Sequence, residues 1–178
     1  QTAQRSGQGF DALATSYSKF AASALQTGLG LETTQQVFNS VALAAGNLGL
    51  STDQSGRALE ALSQIASKGV AGMEELRQQL GDALPGVLPL LAKELDLTTA
   101  ELNKLVESGQ LTAREAIPAI GRALNTLGTE GGKPVQGLVA EFNRLLNVVK
   151  EVTNSLAQGA LGRALGAVLS AVSTSVQG

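Results

Sequence analysis

The sequence predicts an all-α fold: helical hairpins packed as a multi-helix bundle, with a longer C-terminal helix. Three observations carry this expectation. Hydrophobic residues make up 43% of the 178 residues but aromatics only 3%, so the core must be built from Leu, Val, Ile and Ala. That composition suits packed helices better than a β-sandwich. Apolar residues recur at spacings of three and four, the period of a helix face. Ser or Thr followed three residues later by Glu or Gln alternates with single glycines, which is how helix starts and stops are written. The chain divides into an N-terminal amphipathic helix (1–28), a helical hairpin domain (29–128) and a long helix with an Ala/Gly-rich apolar tail (134–178).

Phe10, Leu13, Tyr17, Phe20 and Ala24 form one stripe of a first helix that should stop near Gly28 and Gly30. Four capping boxes follow, Thr33 with Gln36, Ser51 with Gln54, Thr98 with Glu101 and Thr112 with Glu115. In such a box the hydroxyl accepts from an orphan first-turn amide while the longer side chain reaches back to the cap amide, worth about 1 kcal/mol each. Gly49, Gly69, Gly109 and Gly128 each close a periodic run, because glycine takes the left-handed conformation without steric cost. The expected helices are therefore Thr33–Leu48, Ser51–Lys68, Thr98–Ser108 and Thr112–Leu127, and short connections should make sequential helices lie side by side as hairpins.

Between the hairpins, Met73–Leu80 should form a short helix ended by Gly81. Pro85 and Pro89 prevent one continuous helix to Leu95, so a tight angular connector is expected, with Pro89 in the first turn of a helix Pro89–Leu95. Pro118 should kink the last hairpin helix or delay its start.

Beyond the Gly/Thr-rich break at Gly128–Lys133, Val135, Leu138, Phe142, Leu145, Val149, Val152 and Leu156 follow a strict alternation of three and four. This is a heptad seam, a candidate for oligomerisation. Val139, Leu146 and Val148 widen its apolar face past that of a two-stranded coil, which favours packing on the domain or a multi-chain bundle. The tail Leu156–Val176 is apolar and contains Gly162-x-x-x-Gly166, but it carries Arg163 and is barely long enough to span a bilayer. A helix packed on protein is the favoured reading, and a membrane-inserting, channel-forming segment the alternative.

Chemistry is largely excluded. The chain has no histidine and no cysteine, which removes the Ser-His-Asp and Cys-His nucleophile systems and imidazole or thiolate metal ligands. No cofactor is expected. Asp82, Glu94 and Asp96 near the proline connector could in principle act as an acid–base pair, but helix ends and turns place acids there anyway. Glu74 with Gln78 and Glu75 with Gln79 read as a polar helix face. The net charge is −2, and the two closest of the thirteen Lys and Arg, Arg144 and Lys150, stand almost two helical turns apart. No specific nucleic-acid binding is expected. The hairpin Leu97–Leu124 has a helix-turn-helix outline, but Glu115 and Pro118 sit badly in a groove-reading helix. The chain begins at Gln1 without a secretory pattern and reads as part of a longer protein.

One stretch stands apart from generic helical composition: "EELRQQLGDALPG", Glu74–Gly86, which includes Glu74, Glu75, Leu76, Arg77, Leu80, Gly81, Pro85 and Gly86. With "TGLGLETTQQVFNSVALAAGNLGLSTDQSGRALEALSQIASKG" before it and "LTTAELNKLVESGQLTAREAIPAIGRAL" after it, the region Leu29–Leu124 resembles the N-terminal-type domain of tape measure proteins of long-tailed bacteriophages and prophages. The resemblance implies a structural virion protein of the tail lumen, made in the bacterial host cytoplasm. Such a protein sets tail length, organises tail-tube assembly and takes part in genome delivery. Its implied partners are further copies of itself, the tail tube, tail tip and tail chaperone proteins, with host membrane contact through the C-terminal apolar helix. No catalytic residues are carried by the matched region.

Overall fold

The structure, a computed structural model, describes residues 2–130 and, beyond them, Ala140, Arg144, Leu145, Asn147, Val148 and Glu151; for residues 2–10 and Glu130 the description is of the backbone alone. It is all-α. The helices are α1 (Thr2–Gln26), α2 (Leu31–Leu48), α3 (Thr52–Lys68), a π-helix (Glu74–Gly81), α4 (Val87–Glu94), α5 (Thr99–Glu107) and α6 (Ala113–Glu130). An antiparallel bridge between Val70 and Thr112 ties the end of α3 to the start of α6, with Ala71 N–H donating to Leu111 O (2.9 Å) and Ala113 N–H to Gly69 O (2.8 Å).

The bundle differs from the expected hairpins in its main pairings. α1 packs chiefly on α3, and α2 on α6, while the sequence neighbours α2 and α3 touch much less. Both principal pairs are parallel. Along α1 and α3 the contacts advance together: Lys19 with Glu60 (3.6 Å), Ser23 Oγ with Ser63 Oγ (3.2 Å), and Thr27 Oγ1 donating to Ala66 O (2.7 Å). Along α2 and α6, Gly121 faces Val37 and Gly128 faces Leu43 and Ala44. Short loops make sequence neighbours easy to pair, but the pairing that buries more apolar surface wins, and here that joins α1 to α3 and α2 to α6.

From Leu13 onward the first stripe enters the core as its spacing predicts, while the side chain of Phe10 lies outside the description. Leu13, Phe20 and Ala24 are fully buried and Tyr17 nearly so, its ring 4.5 Å from Phe38 at a 57° tilt. Burial pushes the Tyr17 hydroxyl up to about 12. Phe38, Leu59, Leu62, Ile65, Leu84, Leu91 and Leu102 complete the largest part of the core.

Helix starts and stops are written partly as expected. Ser51 and Thr98 make full capping boxes with Gln54 and Glu101. Thr112 makes half of one: Glu115 Oε2 accepts from the Thr112 amide (3.2 Å) and hydroxyl (2.6 Å), but no amide donates back to that hydroxyl. Thr33 is not a cap. The helix begins at Leu31 with extended Gly30 as its N-cap, and Thr33 lies inside the first turn, where Thr34 Oγ1 bonds Gly30 O instead (3.0 Å). The stops at Gly28, Gly49, Gly69 and Gly109 all have positive φ. Gly128 does not stop its helix: α6 runs through it to Glu130. Nor does Pro118 delay α6, which starts at Ala113 and continues across the proline.

Candidate functional site

The most specific stretch of sequence, Glu74–Gly86, forms the corner that turns the chain from α3 to α4. Its first part is a π-helix where an ordinary helix is expected, and Gly81 does not stop the helical conformation, which runs on through Asp82 and Ala83. The hydrogen bonds of a π-helix span one residue more than those of an α-helix, and such turns are rare and frequently found at functional sites. Gly81 fits it locally: a Cβ there would lie 3.1 Å from Leu76 O, five residues back. The break comes at Gly86, whose φ of 92° is left-handed and which follows exposed Pro85. α4 then starts at Val87, two residues before Pro89.

The π-helix buries Leu76 and Leu80 and leaves Glu74 and Arg77 exposed. Glu75 departs from the expected polar face. It is 1% exposed and ion-paired through Oε1 with Lys68 Nζ, at the last turn of α3. Its Oε2 is buried with no hydrogen-bond partner among the described residues. Gly72 leaves the room: a Cβ there would stand 2.4 Å from Glu75 Oε2. The Glu75 hydrogen bond and charge hold the Lys68 ammonium above its usual range. Gln79 Nε2 also donates to Gln64 Oε1 (3.0 Å), a second tie between the π-helix and α3. The i, i+4 pairing with Gln79 that the sequence suggests for Glu75 is thus replaced by two ties to another helix. The corner is a joint: a wide turn pinned to α3 by one buried carboxylate and one amide pair.

The other candidate residues fall elsewhere. Ser51, Thr98 and Thr112 lie at helix starts and Thr33 within α2, separate from the corner. Of the acids near the prolines, Asp82 and Asp96 are exposed, and Glu94 accepts from Arg122 Nε (2.8 Å). Asp96 takes the left-handed place usually given to glycine after α4, with φ 55°. Arg114, in the first turn of α6, donates from Nε to Thr27 O (2.9 Å) at the end of α1. A groove of about 620 Å³ runs between α2 and α6 beside the Glu94–Arg122 pair, lined by Gln36, Ser40, Pro118, Asn125 and Thr126 among others. Among the described residues no group of three or more acids could hold a metal ion, and no helix is long and apolar enough to cross a membrane. Of the seam, Leu145 is described and is buried, whereas Val135, Leu138, Phe142, Val149, Val152 and Leu156 lie outside the described residues, as does the tail Leu156–Val176.

Sequence reasoning did not anticipate the partners of Glu75, Arg114, Gly121 and Gly128, all of which reach across elements. For Glu75 one signal was present: Lys68 stands seven residues away, two helical turns had the chain not broken at Gly69.

With the fold in view, comparison with known proteins decides the family. A family profile described as tape measure protein matches residues 1–158. The chain belongs to the tape measure protein family. A probable tape measure protein of Salmonella phage Felix O1 (isolate Felix O1-VT1) is 33% identical over 190 residues, covering 94% of this chain. The match takes in 26% of that relative, so this tape measure chain spans about a quarter of its length. No solved structure matches the chain.

Proposed function

We propose that the chain is a folded module of a longer phage tail tape measure protein, a non-enzymatic component that sets tail length, organises tail-tube assembly and takes part in genome delivery. It acts by helix packing, with further copies of itself and with tail tube, tail tip and tail chaperone proteins, in the lumen of the virion tail after synthesis in the host cytoplasm. The observation that carries this reading is the family match across residues 1–158. The physical character of the chain supports it. Its specific residues are spent on joints between helices, as at Lys68–Glu75 and Arg114–Thr27.

A ruler needs continuous extended helix, whereas α1 to α6 double back on one another. The module therefore serves either as a compact hub or as a folded store of helix that opens on assembly, since helical hairpins lengthen when neighbours replace their internal contacts. Electron microscopy of tails from a phage whose parent gene lacks Leu31–Glu130 in frame separates the two. As one helix at ~1.5 Å per residue this stretch would span roughly 150 Å. Tails shortened by that amount support the extended form. Absent or length-scattered tails support the hub, and tails of normal number and length overturn the proposal.

A further inference from the structure

We infer that residues 72–110 form a lobe that opens as one unit while the rest of the module stays folded, and that the buried side chain of Glu75 is the latch that sets how readily it opens. The lobe is the excursion between α3 and α6 and comprises the π-helix, α4 and α5. Its ends are clasped where it leaves and rejoins the module. Ala71 N–H donates to Leu111 O (2.9 Å) and Ala113 N–H to Gly69 O (2.8 Å), around the Val70–Thr112 bridge. Ala71, Leu111 and Ala113 are buried, so this base is part of the core. A segment whose ends stay joined can lift away without pulling its flanking helices apart.

Without the lobe a frame remains that holds itself together. α1 packs chiefly on α3 and α2 on α6, with further contact between α1 and α2, α2 and α3, and α3 and α6. The lobe meets this frame along two lines, the π-helix on α3 and α4 on α6, while α5 rests on α4. Leu76, Leu80, Leu84 and Leu91 are buried, so apolar burial holds the lobe closed.

Glu75 works against that burial, on the first of the two lines. One carboxylate oxygen meets Lys68 Nζ, but the other is buried with no hydrogen-bond partner among the described residues. An unpaired buried acceptor destabilises the state that buries it, and water satisfies it once the lobe lifts. The Lys68 side chain is 53% exposed and keeps its hydration in either form. Asp11 Oδ1 is also buried and unpaired, but it belongs to a half-buried residue of α1 that is already partly hydrated. Gly72, the first residue of the lobe, makes the inward position of Glu75 possible, because an added Cβ would collide with Oε2. Its φ is not positive, so the glycine answers to the carboxylate and not to the backbone. Opening of this lobe is a smaller step than the extension considered above: it bares the faces of α3 and α6 beneath it while both parallel pairs persist. It concerns the chain by itself and holds whether the module is hub or store.

Native-state hydrogen exchange of the 178-residue chain at low denaturant tests both parts. Lobe amides around 76–80, 88–92 and 102–106 should exchange together, through an opening at least roughly tenfold more frequent than the one that exposes α2 and α6 amides around 38–45 and 117–124. Thr27→Val removes the α1–α3 hydrogen bond to Ala66 O, a contact that persists when only the lobe opens. It should lower frame protection about fivefold and leave lobe protection unchanged. Glu75→Leu should raise lobe and frame protection by the same factor, roughly tenfold, since the carboxylate is hydrated in both openings. A single protection and denaturant slope common to lobe and frame, or a loss in the lobe with Thr27→Val equal to that in the frame, overturns the lobe. No gain in the lobe with Glu75→Leu, whether or not the frame gains, overturns the latch, as does a Glu75→Leu chain that fails to fold.

Discussion

Arg114, at the start of α6, donates from Nε to the carbonyl of Thr27, 2.9 Å away, just past the last turn of α1. A cation at a helix C-terminus bonds an orphan carbonyl and meets the negative end of the helix dipole. Here the cation comes from 87 residues further along the chain, so it also fixes where α6 begins relative to α1.

This contact shares its space with Gly28, where an added Cβ would stand 2.4 Å from Arg114 Nη2 and φ is +82°. Arg114→Ala should lower the unfolding free energy by about 1 kcal/mol, below the roughly 1.5–3 kcal/mol of a charged hydrogen bond because the side chain is exposed. Gly28→Ala should cost about 1–3 kcal/mol through the left-handed backbone and the displaced guanidinium. Because the glycine substitution already expels Arg114, the double variant should lose less than the sum. Urea melts of the four proteins would show this, and strict additivity would disprove the shared contact.

The parallel pair α2–α6 depends on two glycines seven residues apart. At Gly128 a Cβ would meet Leu43 Cγ at 2.7 Å and the backbone of Ala44 and Leu43 at 2.9 and 3.0 Å, whereas at Gly121 its closest neighbour is the Val37 Cγ2 methyl, at 2.9 Å. Backbone yields less than a methyl. Alanine favours a helix over glycine by about 1 kcal/mol, so Gly121→Ala should fall within about 1 kcal/mol of the parent while Gly128→Ala loses about 1–3 kcal/mol. Equal melting temperatures for the two variants would show that the helices do not approach as described.

At the corner, Lys68→Met strands Glu75 as a buried carboxylate without its counter-ion, and the melting temperature should drop by several degrees. Adding Glu75→Leu removes the stranded charge and should recover most of the loss, since an apolar side chain of similar volume replaces the buried carboxylate at little cost. The Lys68 pKa is raised in the folded state from its ordinary 10.5 by the Glu75 hydrogen bond first and its charge second. Its contribution is therefore complete below 10.5 and fades as pH climbs through the higher folded value. Failure of the double variant to outperform Lys68→Met would assign Lys68 no role at the joint.

What could be read in advance was what is local. Ser51 and Thr98 were legible because a capping box is closed within four residues, and the Leu13–Ala24 stripe because a helix face repeats within a turn. Thr33 was not, because three polar residues, Glu32, Thr33 and Thr34, offer competing starts and extended Gly30 takes the cap position itself. Gly128 misled for a different reason. A glycine that stops a helix and one that lets a second helix approach look identical until the neighbour is known. The corner illustrates both cases: Pro85 and Pro89 mark an interruption before α4, but nothing within Glu74–Gly81 announces that Glu75 turns inward to Lys68 or that the turn widens.

Acid should unpick two helix starts in a defined way. Glu101 is held below the usual carboxylate range by the Thr98 amide first and the Thr98 hydroxyl second, and Glu115 by the Thr112 hydroxyl first and amide second. A carboxyl depressed in the folded state contributes stability above its unfolded value of about 4.5, and that contribution is lost as pH falls through the lower folded value. Glutamine serves in a capping box as well as glutamate does but has no proton to gain. The Glu101→Gln/Glu115→Gln variant should therefore melt close to the parent at pH 7, and its melting temperature should fall less steeply as pH drops below about 4.5. Circular dichroism melts of both proteins at half-unit steps measure the difference directly, with the remaining carboxylates common to the two. Parallel curves would mean that these two boxes are held by geometry alone and that ionisation of Glu101 and Glu115 adds nothing to the start of α5 or α6.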